Sequence, residues 1–299
     1  RTVSAGIKEK NMEKIHILTD SSSDIPQALV EQHGIEIVPI MLSHGGRTFR
    51  EYYDITPAEC CRLLEESDEI PSTAMATPAV FLESYNRAFE RGCTHLIGVL
   101  INGSGSGTYQ AACLAKGMFE EEHGEGAMVI EVFDSRTYTY IVVKAAEMRE
   151  QGESFEAITS VIRSRLSRVE AYLGVYTLKY LKKSGRISGG AAFVGEALGL
   201  KPISFVYDGA VKVCDKVRGE KALAAGICKK VAARVQQPEK QTGILLYGDV
   251  PEERLAEVEK RMREEIGFKD VVRCAIGPSV LSNTGPLAIA VAYYGAPRE

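Results

Sequence analysis

At 299 residues, 45% of them apolar and 25% charged, the chain is long enough for one large domain or two ordinary ones around a sizeable core. Its formal net charge is -4 and it has no Lys/Arg-rich tract, which argues against nucleic acid as the main partner. No apolar run is long enough to span a bilayer and no charged-then-apolar signal opens the chain, so stable membrane insertion is not expected.

Arg1–Asn11 is polar and patternless, and is set aside as a leader or vector-derived segment. Lys14–Leu18 is a short apolar strand running into Thr19-Asp-Ser-Ser-Ser-Asp24. A helix follows, with Ser23 and Asp24 as capping residues, Pro26 in its first turn and Gly34 as its stop. Ile35–Leu42 reads as the next strand, followed by a Gly45-Gly46 turn. Thr56-Pro-Ala-Glu59 has the capping-box pattern and opens a helix to about Ser67. Thr77, read as a cap, and Pro78 open another to Arg91.

His95–Ile101 is an apolar strand, Asn102–Gly107 a Gly/Ser loop, and Thr108 onward a helix. Glycines let an anion approach the free N–H groups at a helix start. No Lys follows the last Gly, and the glycines at 103, 105 and 107 do not make G-x-G-x-x-G, so neither familiar nucleotide loop is present. The loop suits a small oxyanion head such as a carboxylate. Ala127–Phe133 is a strand ending in Asp134-Ser135, and a helical stretch covers Thr139–Gln151. Strands alternating with helices call for a parallel sheet, in which ligands gather at the C-terminal strand ends. Three polar clusters fall there: Thr19–Asp24, Asn102–Thr108 and Asp134-Ser135.

The second half differs in texture. A helix over Ser154–Arg168 precedes a strand at Ala171–Tyr176, then a basic segment Leu178–Ser188 and a small-residue segment Gly189–Gly199. Pro202–Val206 and Val211–Val217 form a hairpin about Asp208-Gly209. Helices at about Gly219–Val235 and Pro251–Ile266 flank a strand at Thr242–Tyr247, and Val271–Ile276 is the last strand read. The expected architecture is an α/β domain with a parallel sheet over 14–165 and an α+β domain over 166–299. The boundary is soft, and the C-terminal segment returns to the interface.

The seven cysteines are odd in number and include no C-x-x-C pair, so they read as free thiols in a reducing cytoplasm. The five histidines are scattered, and His16 and His95 fall in strands, where a hydrogen-bonded structural role is expected. A metal site is not expected.

Four motifs in fixed order carry a resemblance. They are Thr19-Asp-Ser-Ser-Ser-Asp-Ile-Pro26, Ser106-Gly-Thr-Tyr-Gln110, Leu178-Lys-Tyr-Leu-Lys-Lys-Ser-Gly-Arg-Ile187 and Thr284-Gly-Pro286. With them the chain from about Lys14 resembles the bacterial DegV family. The resemblance implies a two-domain protein of EDD fold holding one long-chain fatty acid between its domains. It also implies a carrier that presents the acid to a fatty acid kinase, contributes no catalytic group and needs no cofactor.

Residue by residue, the family's T-S-Q-P-S-P segment reads Thr73-Ala-Met-Ala-Thr-Pro78, which places Thr73 at the carboxylate. Its I-S-S-x-L-S-G-T-Y loop reads Ile101-Asn-Gly-Ser-Gly-Ser-Gly-Thr-Tyr109, so Asn102, Gly103 and Ser104 stand at the head group and a Ser-Ser pair is lost. Its H-T-G-P-G reads Asn283-Thr-Gly-Pro-Leu287, which brings in Asn283 and Thr284 with an amide in place of an imidazole. Met75, Phe81 and Tyr109 are expected to line the tail or the interface. Arg186 matches the family's kinase-docking Arg and is expected at an exposed helix end, away from the head-group loops. The alternative is a phosphotransfer enzyme, because the family's fold resembles dihydroxyacetone kinase subunits. It needs a loop His, for which His44 is the one candidate.

Overall fold

The structure is a computed structural model that describes residues 13–136, 139–188, 199–207 and 210–297. The segment Arg1–Asn11, nearly all of 189–199 and the turn at Asp208-Gly209 lie outside the described residues. In chain order the first half comprises β1 (Ile15–Asp20), α1 (Gln27–His33), β2 (Glu36–Val38), β3 (Met41–His44), β4 (Arg47–Arg50), α2 (Pro57–Glu66) and β5 (Ser72–Ala74). It continues with α3 (Pro78–Glu90), β6 (His95–Ile101), α4 (Thr108–His123), β7 (Val129–Ser135), α5 (Thr139–Glu150) and α6 (Phe155–Leu166). The second half comprises β8 (Val169–Val175), α7 (Lys179–Ser184), β9 (Ile187–Ser188), β10 (Leu200–Tyr207), β11 (Ala210–Arg218) and α8 (Lys221–Ala232). It ends with β12 (Thr242–Tyr247), α9 (Glu252–Arg261), β13 (Asp270–Ala275), α10 (Pro278–Thr284) and β14 (Ala288–Tyr294).

Three sheets result. The first is wholly parallel, in the order β2-β1-β6-β7. Its central strands are buried on both faces, β6 through Leu96, Ile97, Val99 and Leu100 and β1 through Ile15, Ile17 and Leu18. The chain winds from β1 outward to β2 and later from β6 outward to β7. The crevice between the ends of β1 and β6 is therefore a topological switch point, where ligands of open α/β sheets bind.

Ile35–Leu42, expected as one strand, is two. The chain leaves the first sheet at Val38 and enters a three-stranded antiparallel sheet, β4-β3-β5, at Met41. Pro39 stands between them and offers no N–H to a ladder. Gly45 and Gly46 both have positive φ and close the β3–β4 hairpin.

The capping box forms as read. Thr56 Oγ1 accepts from Glu59 N at 3.2 Å, and Glu59 Oε2 accepts from Thr56 N at 2.8 Å. Gly34 stops α1 in the left-handed conformation and Thr77 stands at the N-cap of α3, both as read, while the capping chemistry at Thr77 and the start of α1 differ. Thr77 precedes α3 without a side-chain bond, because Pro78 already fixes the first turn. Ser23 and Asp24 do not cap α1, whose N-terminal neighbour is Pro26. Ser23 closes a 3-10 turn, and Asp24 leaves it in the left-handed conformation with its side chain turned to α10.

The third sheet is seven-stranded and mixed, in the order β13-β12-β14-β8-β10-β11-β9. β14, absent from the sequence reading, is antiparallel between β12 and β8. Alternation sets the two faces. Tyr172, Ile289, Val291 and Tyr293 pack under α8 and α9, while Ala171, Leu173, Ala288, Ala290 and Ala292 turn to the opposite face. On that opposite face lie α2, α7, α10 and Leu42 of β3, in one continuous core. The face with the small side chains looks toward the first sheet, and there it leaves a cavity.

Candidate functional site

The cavity measures about 760 Å³, within the range of about 300–1,000 Å³ usual for small-molecule pockets. One side is polar and lies at the switch point. It comprises Ser22 and Asp24 beyond β1, the loop 101–107 beyond β6, Thr73 of β5, and Ser279, Asn283 and Thr284 of α10. The other side is the small-residue face of the seven-stranded sheet, with Ala171, Leu173, Val206, Leu246 and Ala290. An anionic or polar head and an apolar body are both provided for.

Buried carboxyls organise the polar side. Asp20 Oδ1 accepts from Ser22 N and Oγ at 3.0 and 2.6 Å, and its Oδ2 accepts from Ile101 N at 2.6 Å, tying the ends of β1 and β6 together. Asp24 Oδ1 accepts from Gly277 N at 2.8 Å. Glu51, 1% exposed, accepts from Ser21 Oγ and from Ser279 N, the latter at 2.7 Å. A Cβ on Gly277 would lie 2.8 Å from both the Asp24 and the Glu51 carboxyl oxygens, so only glycine fits between them. Burial, with the neighbouring acids, pushes Glu51 up to about 7 and Asp24 well above the usual carboxylate range. Burial also pushes the nearby thiols of Cys60 and Cys61 up, to about 12 and 11, so both are protonated and unreactive.

The Gly/Ser loop is held by its own hydrogen bonds. Ser104 N donates to Asn102 Oδ1 at 3.0 Å, and Gly105 N and Ser106 N donate to the Asn102 carbonyl at 3.0 and 3.1 Å. Gly103 N donates to Asp134 Oδ2 at 3.2 Å. The loop N–H groups of 103–106 are therefore occupied, by Asn102 and Asp134, which leaves the start of α4 as the place for the free N–H groups expected there. Asn102 serves as the loop's internal organiser.

The structure brings Thr73, Met75, Asn102, Gly103, Ser104, Asn283 and Thr284 to the same cavity. The sulfur of Met75 lies over Gly107, where a side chain would otherwise stand. Two expected tail residues are corrected. Phe81 is 0% exposed in the core behind the parallel sheet, and Tyr109 packs against Gly103 outside the lining. Arg186 follows the end of α7, exposed as expected, yet it lines the cavity instead of standing apart from it. No histidine is among the lining residues, and His44, the candidate for the phosphotransfer alternative, is the last residue of the β3 strand. His16 bonds Glu36 and His95 bonds Thr94, both at 2.8 Å, as structural residues.

Sequence reasoning missed Glu51, Ser279, Arg136 and the alanine wall. The apolar run Ala288–Tyr294, with alanine at every second position to 292, was the available signal for that wall.

Comparison with known proteins follows the same geometry. The profile of a family described as "Uncharacterised protein, DegV family" matches residues 14–296. A DegV domain-containing protein of Caldanaerobacter subterraneus is 34% identical over 285 residues, covering 94% of this chain and 98% of the relative. Among solved structures, a DegV family protein from Thermus thermophilus described for its fatty acid binding superposes with a TM-score of 0.85 at 28% identity, covering 94% of this chain and 99% of the other. A stearic acid-binding protein from Eubacterium ventriosum superposes at 0.82 with 25% identity, covering 94% and 97%. Among the described residues no helix is long and apolar enough to cross a membrane, and no cluster of His, Cys, Asp and Glu is disposed to hold a metal ion.

Proposed function

The chain belongs to the DegV family, and from that premise we propose that it binds one long-chain fatty acid in the cavity and presents it to a fatty acid kinase. One observation carries the reading: a single cavity joins a hydroxyl-lined polar end to an alanine- and leucine-lined apolar wall. We read the chain as two units, 14–165 and 166–299, with the acid between them, its carboxylate toward Thr73 and α10. A tail of about 14 methylenes at roughly 0.8 kcal/mol each offers on the order of 11 kcal/mol before ordering costs. One head-group hydrogen bond contributes about 1–3 kcal/mol. The tail supplies affinity and the head supplies orientation.

Organic extraction of the purified protein followed by mass spectrometry tests the ligand. A fatty acid of roughly 14–18 carbons is expected, near one per chain. Finding no lipid, and no uptake of added palmitate or oleate, would reject the reading. The kinase step is tested through Arg186, which stands exposed at the cavity rim and can make a forked contact with a partner carboxylate. Arg186→Ala, loaded with lipid, is expected to lose upward of about 2 kcal/mol of kinase affinity, roughly thirtyfold, while keeping its lipid. Equal phosphorylation rates at subsaturating protein would remove the docking role.

A further inference from the structure

Four polar side chains ride on α10. Three fold back onto carbonyls of their own helix: Ser282 Oγ donates to Pro278 O at 2.7 Å, Asn283 Nδ2 to Ser279 O at 2.7 Å and Thr284 Oγ1 to Val280 O at 3.0 Å. The fourth, Ser279, does not. It is 5% exposed, it lines the cavity, and its hydroxyl makes no well-formed hydrogen bond, the Glu51 carboxyl being the acceptor beside it. A buried hydroxyl without a well-formed bond keeps much of its desolvation penalty. Three other polar groups of the cavity are occupied. Asn102 holds the Gly/Ser loop, Ser22 Oγ donates to Asp20, and Thr139 Oγ1 donates to the Ser23 carbonyl.

We propose that Ser279 is a head-group residue, whose hydroxyl donates a hydrogen bond to the carboxylate of the acyl ligand. This rests on the fatty-acid reading and adds to it the donor that Asn283 and the loop 103–106 do not provide. Its position suits the role. α10 packs against β3, β5 and the 3-10 turn after β1, so Ser279 shares the polar end with Thr73 of β5. Its backbone is fixed from behind by the bond from Ser279 N to Glu51. Burial raises both the Glu51 and the Asp24 carboxyls, which favours their neutral forms and lessens the negative charge that the groups behind Ser279 present to an incoming carboxylate.

The experiment compares delipidated wild type, Ser279→Ala and Ser279→Thr by titration with myristate, palmitate and stearate. The melting temperature of each empty protein is recorded alongside. Wild type is expected to bind all three acids, Ser279→Ala to weaken each by about tenfold, and Ser279→Thr to recover most of that loss. A hydroxyl acting on the head gives the same ratio at every chain length. One touching the tail gives a ratio that changes with length, and that result overturns the proposal. The melting temperature of empty Ser279→Ala is expected to stay level or rise, because the alanine removes a buried hydroxyl that makes no well-formed bond; a fall would assign the hydroxyl a structural role toward Glu51 and overturn the proposal. Full palmitate affinity in Ser279→Ala would reject Ser279 alone. A wild type that takes up none of the three acids would reject the fatty-acid reading and this inference with it.

Discussion

Glu51 and Glu170 are buried to nearly the same degree, 1% and 4% exposed, in opposite halves of the chain, and they are treated in opposite ways. Glu170, on β8, faces a forked Arg234 whose Nη2 and Nε donate to its two oxygens at 2.6 and 2.9 Å, and Tyr293 of β14 adds its hydroxyl at 2.7 Å. Glu51 meets a serine hydroxyl and a backbone N–H, and among the described residues no cation pairs with it. A buried charge with a forked cation is a structural tie. A buried acid without one has its proton affinity raised, and the fold retains that cost where the cavity begins.

The largest expected effect tests the paired acid. Arg234→Ala leaves Glu170 buried without its cation, and urea unfolding near neutral pH should show a loss of about 3–5 kcal/mol. A loss under about 1 kcal/mol would mean that Tyr293 and water satisfy Glu170 alone, and the contrast between the two acids would collapse.

The unpaired acid gives a smaller effect with a pH signature. Burial raises the Glu51 carboxyl from its ordinary 4.5 to about 7, so over that interval the folded state holds a proton that the unfolded state has lost. Stability from this group is complete below pH 4.5, declines as pH rises to about 7, and is level above. Asp24, also raised by burial, acts in the same direction. Glu36, lowered to about 2 by its bonds to His16, Ser84 and Arg87 against the opposing cost of burial, gains its stability below this window. Wild type should therefore lose on the order of 3 kcal/mol between pH 4.5 and 7. Glu51→Gln, which keeps an acceptor for Ser279 N, should flatten much of that decline. Equal slopes in the two proteins would show that Glu51 is ionised in the fold and that its burial is tolerated for another reason.

The same contrast explains what was legible in the chain. Patterns that depend on neighbours in sequence were readable: the capping box at Thr56, the strand Thr242–Tyr247, and the three polar clusters at parallel strand ends. The Gly/Ser loop was found, but its chemistry was not. Whether Gly103 N is free or bonded depends on Asp134, 31 residues away. Glu51 follows the β3–β4 hairpin with no signal of burial around it in sequence, and only the return of α10, 228 residues later, places Ser279 N on its carboxyl. Phe81 and Tyr109 failed as lining residues for a related reason. An aromatic at helical spacing is as fit for a core as for a tunnel, and packing alone decides. β14 escaped because an unbroken apolar run near the end of a chain does not reveal which two strands it will separate.

The smallest expected effect concerns the ligand rather than the fold. Thr73 lies on β5 opposite Leu42 of β3, lines the cavity, and is only partly exposed. Valine has nearly the same shape and fits a strand as well as threonine does, so Thr73→Val removes a hydroxyl and little else. Palmitate affinity is expected to fall by about 1–3 kcal/mol, since a bound carboxylate would lose one donor and keep the whole apolar wall. The melting temperature of the empty protein should stay within a degree or two of wild type, because an exposed-side substitution of this kind usually changes stability by less than about 0.5 kcal/mol. Fluorescent-probe displacement by palmitate measures the first quantity and calorimetry the second. An unchanged affinity would detach Thr73 from the head group and leave α10 as the element that orients it. A large drop in the melting temperature would instead make the Thr73 hydroxyl a structural tie like Glu170, and the polar end of the cavity would then differ less from the rest of the fold than its unpaired acids imply.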